Sequence, residues 1–195
     1  MVEAAEMHQY CKVGGYNEVL ESLVHVDIEG KIRVKELDLE QEAVLDFILR
    51  DIKREYKQGN LLSTTRYKGK HSKRWFNFGY PKILEPRLFG VFNKKAFLGW
   101  FSLLKSAIGE DWIQYGIILG KKYRGKGLGK SILRFVLESM KEIYSPPFNR
   151  IFVITRLDNK KMRGVAESLE LSFLDDKKLH DEYIKEGSIV YIMKK

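Results

Sequence analysis

The sequence predicts an α+β protein in which helices flank both faces of a sheet of about seven strands. Residues 112–119 form a short, continuous apolar run, which is typical of a buried strand, and residues 32–37 alternate apolar with charged side chains. Residues 128–143 instead place apolar side chains at intervals of three and four, as an amphipathic helix does. The patterns follow the order strand, helix, three strands, helix, strand, helix, two strands.

Length and composition indicate one globular domain. The chain has 195 residues, 44% of them hydrophobic, and a single cysteine, Cys11. No apolar run approaches the ~18 residues of a membrane span, and the N-terminus lacks the basic start and apolar stretch of a signal peptide. We expect a cytoplasmic protein without disulfides, with residues 1–30 as an N-terminal extension and residues 31–195 as a single domain.

The first helix is predicted to follow the strand at 32–37. Asp38 is expected to cap it, with Gln41 at the reciprocal capping position. Its inward side chains are predicted to be Leu45, Ile48, Ile52 and Tyr56. The segment 60–86 then shows little periodicity and is longer than a usual connection, so it is either functional or mobile.

The remaining strands are predicted from short apolar segments. Residues 88–92 and 96–104 flank Asn93 and Lys94, which form a hairpin signal. The fourth strand is 112–119 and the fifth is 151–155. Asn159 begins a further helix, and Phe173 and residues 189–193 complete the sheet.

Glycines and cations separate the strand at 112–119 from the helix after it. Gly125, Gly127 and Gly129 lie among six cations, with no acidic residue from 121 to 134. Those cations are Lys121, Lys122, Arg124, Lys126, Lys130 and Arg134. Glycine lets backbone amides turn toward a ligand, and the start of a helix adds partial positive charge. This pattern predicts an anion cradle, and pyrophosphate is the anion that suits it.

The spacing of the glycines excludes two other phosphate-binding loops. A dinucleotide-binding fingerprint that began at Gly125 would need a glycine at 130, where Lys130 stands. A nucleoside-triphosphate loop that began at Gly120 would put Gly127 in the place of the magnesium-binding hydroxyl.

The hexapeptide Arg124-Gly125-Lys126-Gly127-Leu128-Gly129 matches every fixed position of an Arg/Gln-x-x-Gly-x-Gly/Ala signature. This hexapeptide resembles the acetyl-CoA-binding signature of the Gcn5-related N-acetyltransferases, the GNAT superfamily. A strand before it, a helix after it and Asn159 thirty residues downstream fit the same resemblance. So does the short helical pattern after Asn159, which carries Met162, Val165, Ala166 and Leu169. The resemblance extends from about residue 32 to the C-terminus.

The resemblance implies a GNAT-like fold, with a central mixed, mostly antiparallel sheet of about seven strands that splays between its fourth and fifth strands. It also implies acetyl-CoA as acetyl donor. The backbone of Ile117, Ile118 and Leu119 would hold the pantetheine arm, and the Leu119 amide would stabilise the oxyanion. The pyrophosphate would lie on the turn, whose residues are Arg124, Gly125, Lys126, Gly127, Leu128, Gly129 and Lys130. Asn159 would hydrogen-bond the arm or neighbouring backbone, or would only cap its helix.

The sequence departs from the family where acid and base are expected. Many members carry a tyrosine at the position of Ala166 as general acid, and others a glutamate at the position of Gln114. Ser168 is the nearest hydroxyl to the missing tyrosine and is our candidate for a weak acid. A weak base favours acceptors that are already neutral: α-amines have a pKa of about 7.7–8, against about 10.4 for lysine.

The predicted function is therefore transfer of an acetyl group to a primary amine, on a protein N-terminus or a small molecule, by direct attack on the thioester. A catalytically silent CoA-binding domain and a basic RNA- or ribosome-associated module are the alternatives. The module would use a second basic cluster, Arg66, Lys68, Lys70, Lys73 and Arg74, and the net charge of +9. We expect instead that residues 60–86, together with the first helix, form a wall for an acidic or flat acceptor; the alternative is a disordered loop whose aromatic side chains are buried against the sheet. No membrane partner and no metal site are expected, and the protein is predicted to be a monomer or homodimer.

Overall fold

The computed structural model describes residues 26–27, 31–38, 41–57, 84–93, 96–105, 112–140, 150–174 and 188–193. The strands are β1 Val26–Asp27, β2 Lys31–Glu36, β3 Leu84–Asn93, β4 Ala96–Lys105, β5 Trp112–Leu119, β6 Arg150–Arg156, β7 Leu171–Phe173 and β8 Ser188–Met193. The α-helices are α1 Glu42–Lys57, α2 Leu128–Phe135 and α3 Lys160–Glu167. A 3-10 turn, Lys121–Tyr123, precedes α2, and a π-helical turn, Val136–Met140, comes after it.

The described strands form one sheet in the order β1-β2-β3-β4-β5-β6-β8-β7. Strands β1 and β2, β2 and β3, β6 and β8, and β7 and β8 pair antiparallel, whereas β5 and β6 pair parallel. Apart from the two-residue β1, this is the predicted mixed and mostly antiparallel sheet of seven strands. The fold class is therefore confirmed.

The parallel pair consists of the strands predicted as fourth and fifth. Its register runs from Trp112 opposite Arg150 to Tyr115 opposite Val153. Strand β5 continues for four more residues, Gly116–Leu119, beyond this register. The resemblance assigned the donor's arm to this same part of β5.

The chain divides into two compact units. The first holds β1, β2, α1 to Ile52, β3 from Arg87, β4 to Ser102, β5 from Gly116, and α2. The second holds α1 from Lys53, β3 to Pro86, β4 from Leu103, β5 to Tyr115, β6, α3, β7 and β8. The prediction of a single domain over 31–195, with 1–30 as an extension, stays a prediction.

Polar pairs lie within the apolar core of the first unit. The Trp100 indole donates a hydrogen bond to Asp51 Oδ2 at 3.2 Å, and both residues are buried. The Arg87 guanidinium forms two hydrogen bonds with the buried Glu36 carboxylate, at 3.1 and 2.6 Å. Burying a carboxylate costs free energy unless it is paired, so each contact fixes an element in place: α1 against β4, and β2 against β3.

Helix boundaries differ from the prediction at the start of α1. The helix begins at Glu42, and Asp38 lies outside it, where Asp38 Oδ2 accepts a hydrogen bond from Gln41 Nε2 at 3.3 Å. The predicted inward residues Ile48 and Ile52 are buried. The side chains of Leu45 and Tyr56 are not among those described.

Helix α2 buries the predicted face. Leu128, Ile132 and Val136 are each at most 5% exposed. Ile143, the last residue of the helix predicted over 128–143, lies outside the described residues, as do the segment 60–83 and the basic cluster at 66–74. None of the helices within the described ranges is long and apolar enough to cross a membrane.

Candidate active site

Strands β4 and β5 approach each other closely where β5 ends. The Gly120 amide donates to the Leu98 carbonyl at 2.8 Å. A Cβ built on Gly116 would lie 3.0 Å from Ser102 Oγ, so Gly116 lies against Ser102. As the residue number rises along β4 it falls along β5, which shows that the two strands run antiparallel here.

The peptide that joins Ile118 to Leu119 has a defined direction in this arrangement. The Ile118 carbonyl oxygen lies beside Gly99 of β4, because a Cβ built on Gly99 would be only 2.3 Å from it. In a trans peptide the carbonyl and the next N–H along the chain point opposite ways. The Leu119 N–H therefore points away from β4, toward the edge of β5 where a donor's arm is expected.

The burial of β5 differs in detail from the prediction. The apolar run at 112–119 was expected to form a buried strand, but Ile117 and Leu119 within it are only partly buried. Ile118 is the buried residue, at 6% exposure, and the earlier buried residues are Ile113 and Tyr115. The spacing between buried positions changes from two to three between Tyr115 and Ile118, so the side chains of Ile117 and Leu119 leave the core.

Arg124, the first residue of the signature, closes the turn after β5. Its Nε donates to the Leu119 carbonyl at 2.8 Å, and its backbone amide approaches the Lys121 carbonyl at 3.4 Å. The arginine thus holds the end of β5 and the 3-10 turn together. The prediction that its amide contributes to the phosphate cradle is not favoured by this geometry, because that amide already faces a carbonyl.

The next glycines have the conformation that a cradle requires. Gly125 and Gly127 have φ angles of +75° and +78°, in the left-handed region that other residues enter at a cost. A Cβ built on either would meet no atom of the described residues within 4 Å. Neither glycine is needed for packing against the protein, so what their lack of side chains preserves is open space above the turn.

Helix α2 begins directly behind these glycines. Gly127 is its N-cap residue, and the first intrahelical bond runs from the Ser131 amide to the Gly127 carbonyl at 3.1 Å. The four amides before Ser131 have no acceptor inside the helix, as at every helix start. Those of Gly127, Leu128, Gly129 and Lys130 can therefore point toward an anion, and the helix dipole has its positive end there.

Exposed cations surround the turn. Lys121, Lys122 and Lys126 are all exposed, and the Lys122 ammonium lies 4.9 Å from the centre of the Tyr123 ring. Arg134 lies 4.0 Å from Glu138 one turn later in the helix. The lysines are thus close enough to the open turn to attract an anion through solvent, without a fixed contact.

Asn159 caps helix α3. Its Oδ1 accepts from the Met162 amide at 3.2 Å, and its Nδ2 donates to Thr155 Oγ1 at 3.1 Å. The capping role, one of the two roles considered from the sequence, is present in the structure. A contact with the donor's arm would have to use the second Nδ2 hydrogen or the second Oδ1 lone pair, and it stays a prediction.

Positions 166 and 114, where family members carry an acid or a base, hold an alanine and a glutamine in this chain. Ala166 is 0% exposed, whereas Ser168 is exposed and donates its hydroxyl hydrogen to the Val165 carbonyl at 2.9 Å. Two residues apart on a helix, these side chains point about 200° away from each other. The assignment of Ser168 as weak acid stays a prediction that this geometry does not favour. Gln114 of β5 is partly buried.

A cluster that the sequence did not predict lies beside α3. Tyr191 of β8 donates its hydroxyl to Glu167 at 2.6 Å and accepts from Arg163 Nε at 3.3 Å. Burial, and then the hydrogen bond to Glu167, raises the pKa of Tyr191 above its ordinary value. Burial also raises the pKa of Tyr115 on β5. The charged pair at positions 163 and 167 has the helical spacing of four, but no local signal predicts its partner on β8.

The described residues contain no group of three or more His, Cys, Asp or Glu side chains that could hold a metal ion.

The site and the sheet define the class of protein. Residues 36–172 match the acetyltransferase (GNAT) domain family, which is more than half of the chain. The chain therefore belongs to that family, and the resemblance carried by the signature is confirmed. Among curated proteins, none matches the sequence of this chain.

Solved structures share the fold at low sequence identity. The GNAT domain of S. lividans PAT has a TM-score of 0.58 and 12% identity, covering 84% of this chain and 90% of that one. RimL, described as a ribosomal L7/L12 alpha-N-protein acetyltransferase, has a TM-score of 0.54 and 17% identity, with 86% and 96% covered. The microcin C7 self-immunity acetyltransferase MccE, solved with acetyl-CoA and AMP, has a TM-score of 0.57 and 15% identity, with 90% and 98% covered. At these identities the comparison shows the fold alone.

Proposed function

We propose that this acetyltransferase binds acetyl-CoA and transfers its acetyl group to a primary amine. The observation that carries the proposal is the open turn between β5 and α2. Its two left-handed glycines leave space where phosphate would lie, and the helix start behind them offers amides without intrahelical acceptors. The acetyl-CoA bound to MccE, a protein of the same fold, supports the same assignment.

The described residues fit such a donor in two ways. The turn from Gly125 to Lys130 would bind the pyrophosphate through backbone amides. The edge of β5 that lies beyond the β6 register, Ile117–Leu119, would pair with the pantetheine arm as an added strand does. Asn159 remains a proposed contact for that arm, beside its capping role.

Acetyl-CoA would supply an activated thioester carbonyl. The nitrogen of the neutral amine would attack that carbonyl carbon and form a tetrahedral oxyanion, whose collapse breaks the carbon–sulfur bond and releases the sulfur as thiolate. The proton that the amine nitrogen loses would pass through water to that thiolate. The Leu119 N–H, which points away from β4, would donate to the carbonyl oxygen as negative charge develops on it. No base or acid side chain is assigned, so positioning would supply much of the rate.

The acceptor proposed is an α-amine or amino sugar. Gln114 cannot accept the proton, and Ala166 cannot give one, so the enzyme would select amines that are neutral near pH 7. The α-amine, with a pKa of about 7.7–8, meets this condition far better than lysine at about 10.4. The fold shared with RimL, whose description names an alpha-N-protein acetyltransferase, supports a protein N-terminus as one such acceptor.

The test of donor binding uses Gly127→Glu. Its side chain would project into the open turn and add negative charge beside the phosphates, in a backbone conformation that glutamate adopts at a cost. We expect acetyl-CoA to bind at least about 100-fold more weakly by calorimetry, since one or two charge-assisted hydrogen bonds of about 1.5–3 kcal/mol each would be lost.

The matched control is Gly164→Glu. Gly164 is an exposed glycine of α3 with open space around it and no left-handed φ, so the same charge is added without strain. Its affinity for acetyl-CoA should equal that of the wild type. A folded Gly127→Glu protein that binds as tightly as Gly164→Glu would exclude the turn as the phosphate site.

The test of the acceptor is the pH profile of turnover. With no side chain acting as base, kcat/KM for a peptide with a free N-terminus should rise with pH and level off near the pKa of that amine, about 7.7–8. The same peptide blocked at its N-terminus but carrying lysine should be a poor substrate at pH 7. A lower inflection, independent of the acceptor's own pKa, would reveal a protein base and contradict this mechanism.

A catalytically silent CoA-binding domain is the second candidate, and the burial of Ala166 in the position of the family's tyrosine favours it. In that case acetyl-CoA binds with the same sensitivity to Gly127→Glu, and no amine is acetylated in a screen of N-terminal peptides, polyamines and aminoglycosides.

A further inference from the structure

Gly99 interrupts an otherwise bulky buried strand. Around it β4 buries large side chains: Phe97, Leu98, Trp100, Phe101, Leu103 and Leu104. A glycine within a strand weakens it, and often marks a point where another backbone approaches closely. Here that backbone is identified, because it belongs to residues 118 and 119 of β5.

The approach leaves no room for a side chain. A Cβ built on Gly99 would lie 2.3 Å from the Ile118 carbonyl oxygen and 2.8 Å from Leu119 Cα, both backbone atoms. A flexible side chain could turn aside, but a backbone atom can move only with its strand. The φ of Gly99, +153°, is also one that L-residues rarely adopt.

The crowded carbonyl belongs to the peptide that carries the proposed oxyanion donor. The Ile118 oxygen and the Leu119 N–H are in one rigid plane and point opposite ways. Two further hydrogen bonds fix the next residues of the chain: the Gly120 amide donates to the Leu98 carbonyl, and Arg124 Nε donates to the Leu119 carbonyl. If a side chain displaced the Ile118 oxygen, the peptide plane would therefore rotate and the Leu119 N–H would change direction, while the residues after it stayed in place.

We propose that Gly99 is a positioning residue for acetyl transfer: its missing side chain lets β4 hold the Ile118–Leu119 peptide so that the Leu119 N–H points at the thioester oxygen. The inference rests on the proposed function, because it assigns a cause to the direction of that donor. It does not involve the phosphate cradle, which begins at Gly125.

The first test is Gly99→Ala. Moving the oxygen from 2.3 Å to an ordinary contact requires a shift of about 1 Å. A misplacement of that size can cost about 100-fold in rate, so we expect kcat to fall about 10- to 100-fold. The dissociation constant of acetyl-CoA should rise by less than kcat falls, because the cradle amides are unaltered and only the part of the arm that pairs with the Ile118–Leu119 peptide is disturbed. Gly164→Ala, at an exposed and uncrowded glycine, is the control and should keep both constants.

A second variant covers the case in which Gly99→Ala does not fold. Leu119→Ala removes Leu119 Cδ2, which would lie 3.0 Å from the new Cβ, and keeps the backbone N–H. The double variant Gly99→Ala with Leu119→Ala has more room, and its kcat is compared with that of Leu119→Ala alone.

The outcomes are distinct. A fall in kcat that is larger than the loss of donor affinity, in the single variant or in the double variant against Leu119→Ala, supports the proposal. Unchanged kcat in a folded variant overturns it, and so does an equal loss of kcat and donor affinity, which would make Gly99 a general support of the site. A wild-type protein that neither binds acetyl-CoA nor acetylates any amine would instead contradict the proposed function.

Discussion

The turn after β5 and the helix α3 differ in whether their polar groups have hydrogen-bond partners within the protein. In the turn, Gly125 and Gly127 are open and the amides of the first turn of α2 have no helical acceptor. At the two ends of α3, the capping side chains form hydrogen bonds within the protein: Asn159 with Met162 and Thr155, and Ser168 with Val165. The turn therefore has amides to offer to the proposed ligand, whereas the polar groups at the ends of α3 stabilise the protein itself.

This difference bears on how the reaction would be catalysed. The donor side depends on backbone geometry, which needs glycine and the start of a helix but no reactive side chain. An acid or base needs a particular side chain with access to the reacting atoms, and neither Ala166 nor the exposed Ser168 offers one. The comparison therefore predicts an enzyme that orients its substrates well and transfers protons poorly.

The variant expected to have the largest effect places a tyrosine in α3, at the position where many family members carry one. Ala166 is 0% exposed, so the phenol in Ala166→Tyr must displace packed neighbours. We expect a loss of about 3 kcal/mol in the free energy of unfolding, measured with denaturant, and no gain in kcat. Lys161→Tyr, at an exposed position of the same helix, should leave stability nearly unchanged.

The opposite result would change the interpretation of α3. If Ala166→Tyr were as stable as the wild type and turned over faster, space for a phenol would already exist. A single substitution would then supply the missing general acid, and α3 would contribute to catalysis.

The two regions also differ in how well the sequence predicts them. The cradle is local: Gly125 to Gly129 lie within five residues, and even the bond from Arg124 to Leu119 spans only five positions. The positions that the sequence missed depend on contacts between distant segments. Tyr191 meets Glu167 across 24 residues, and Trp100 meets Asp51 across 49.

Gly99 shows the same limit more sharply. A glycine inside an apolar strand is visible in the sequence and signals some close approach. Which backbone it admits depends on the register of β4 against β5, and that register is set by the whole sheet. The start of α1 was also predicted wrongly. Asp38 and Gln41 do contact each other, but they do so before the helix and not as its cap.

A smaller effect separates the two roles of Asn159. Asn159→Ala removes the oxygen that accepts from the Met162 amide, so we expect about 1 kcal/mol lower stability. Asn159→Asp keeps that oxygen and loses the Nδ2 donor, so thermal unfolding should stay close to wild type. If capping is the main role, acetyl-CoA affinity in Asn159→Asp changes by less than about 3-fold. A stable Asn159→Asp protein with affinity at least 10-fold weaker, a loss of about 1.4 kcal/mol, would show that Nδ2 binds the donor.

The smallest expected effects come from the lysines around the turn. Lys121, Lys122 and Lys126 are exposed, so their attraction for phosphate acts through water and is screened by salt. Each Lys→Ala change should weaken acetyl-CoA binding by about 2- to 3-fold at low salt and by less at high salt. Lys53→Ala removes an equal charge from an exposed position on α1 and should have no such effect. Acetyl-pantetheine, which lacks the phosphates, should bind with little dependence on ionic strength in every variant. Because the backbone amides are present in all of these proteins, a loss near that of Gly127→Glu from any one lysine would show that side-chain charge, and not the open backbone, holds the phosphate.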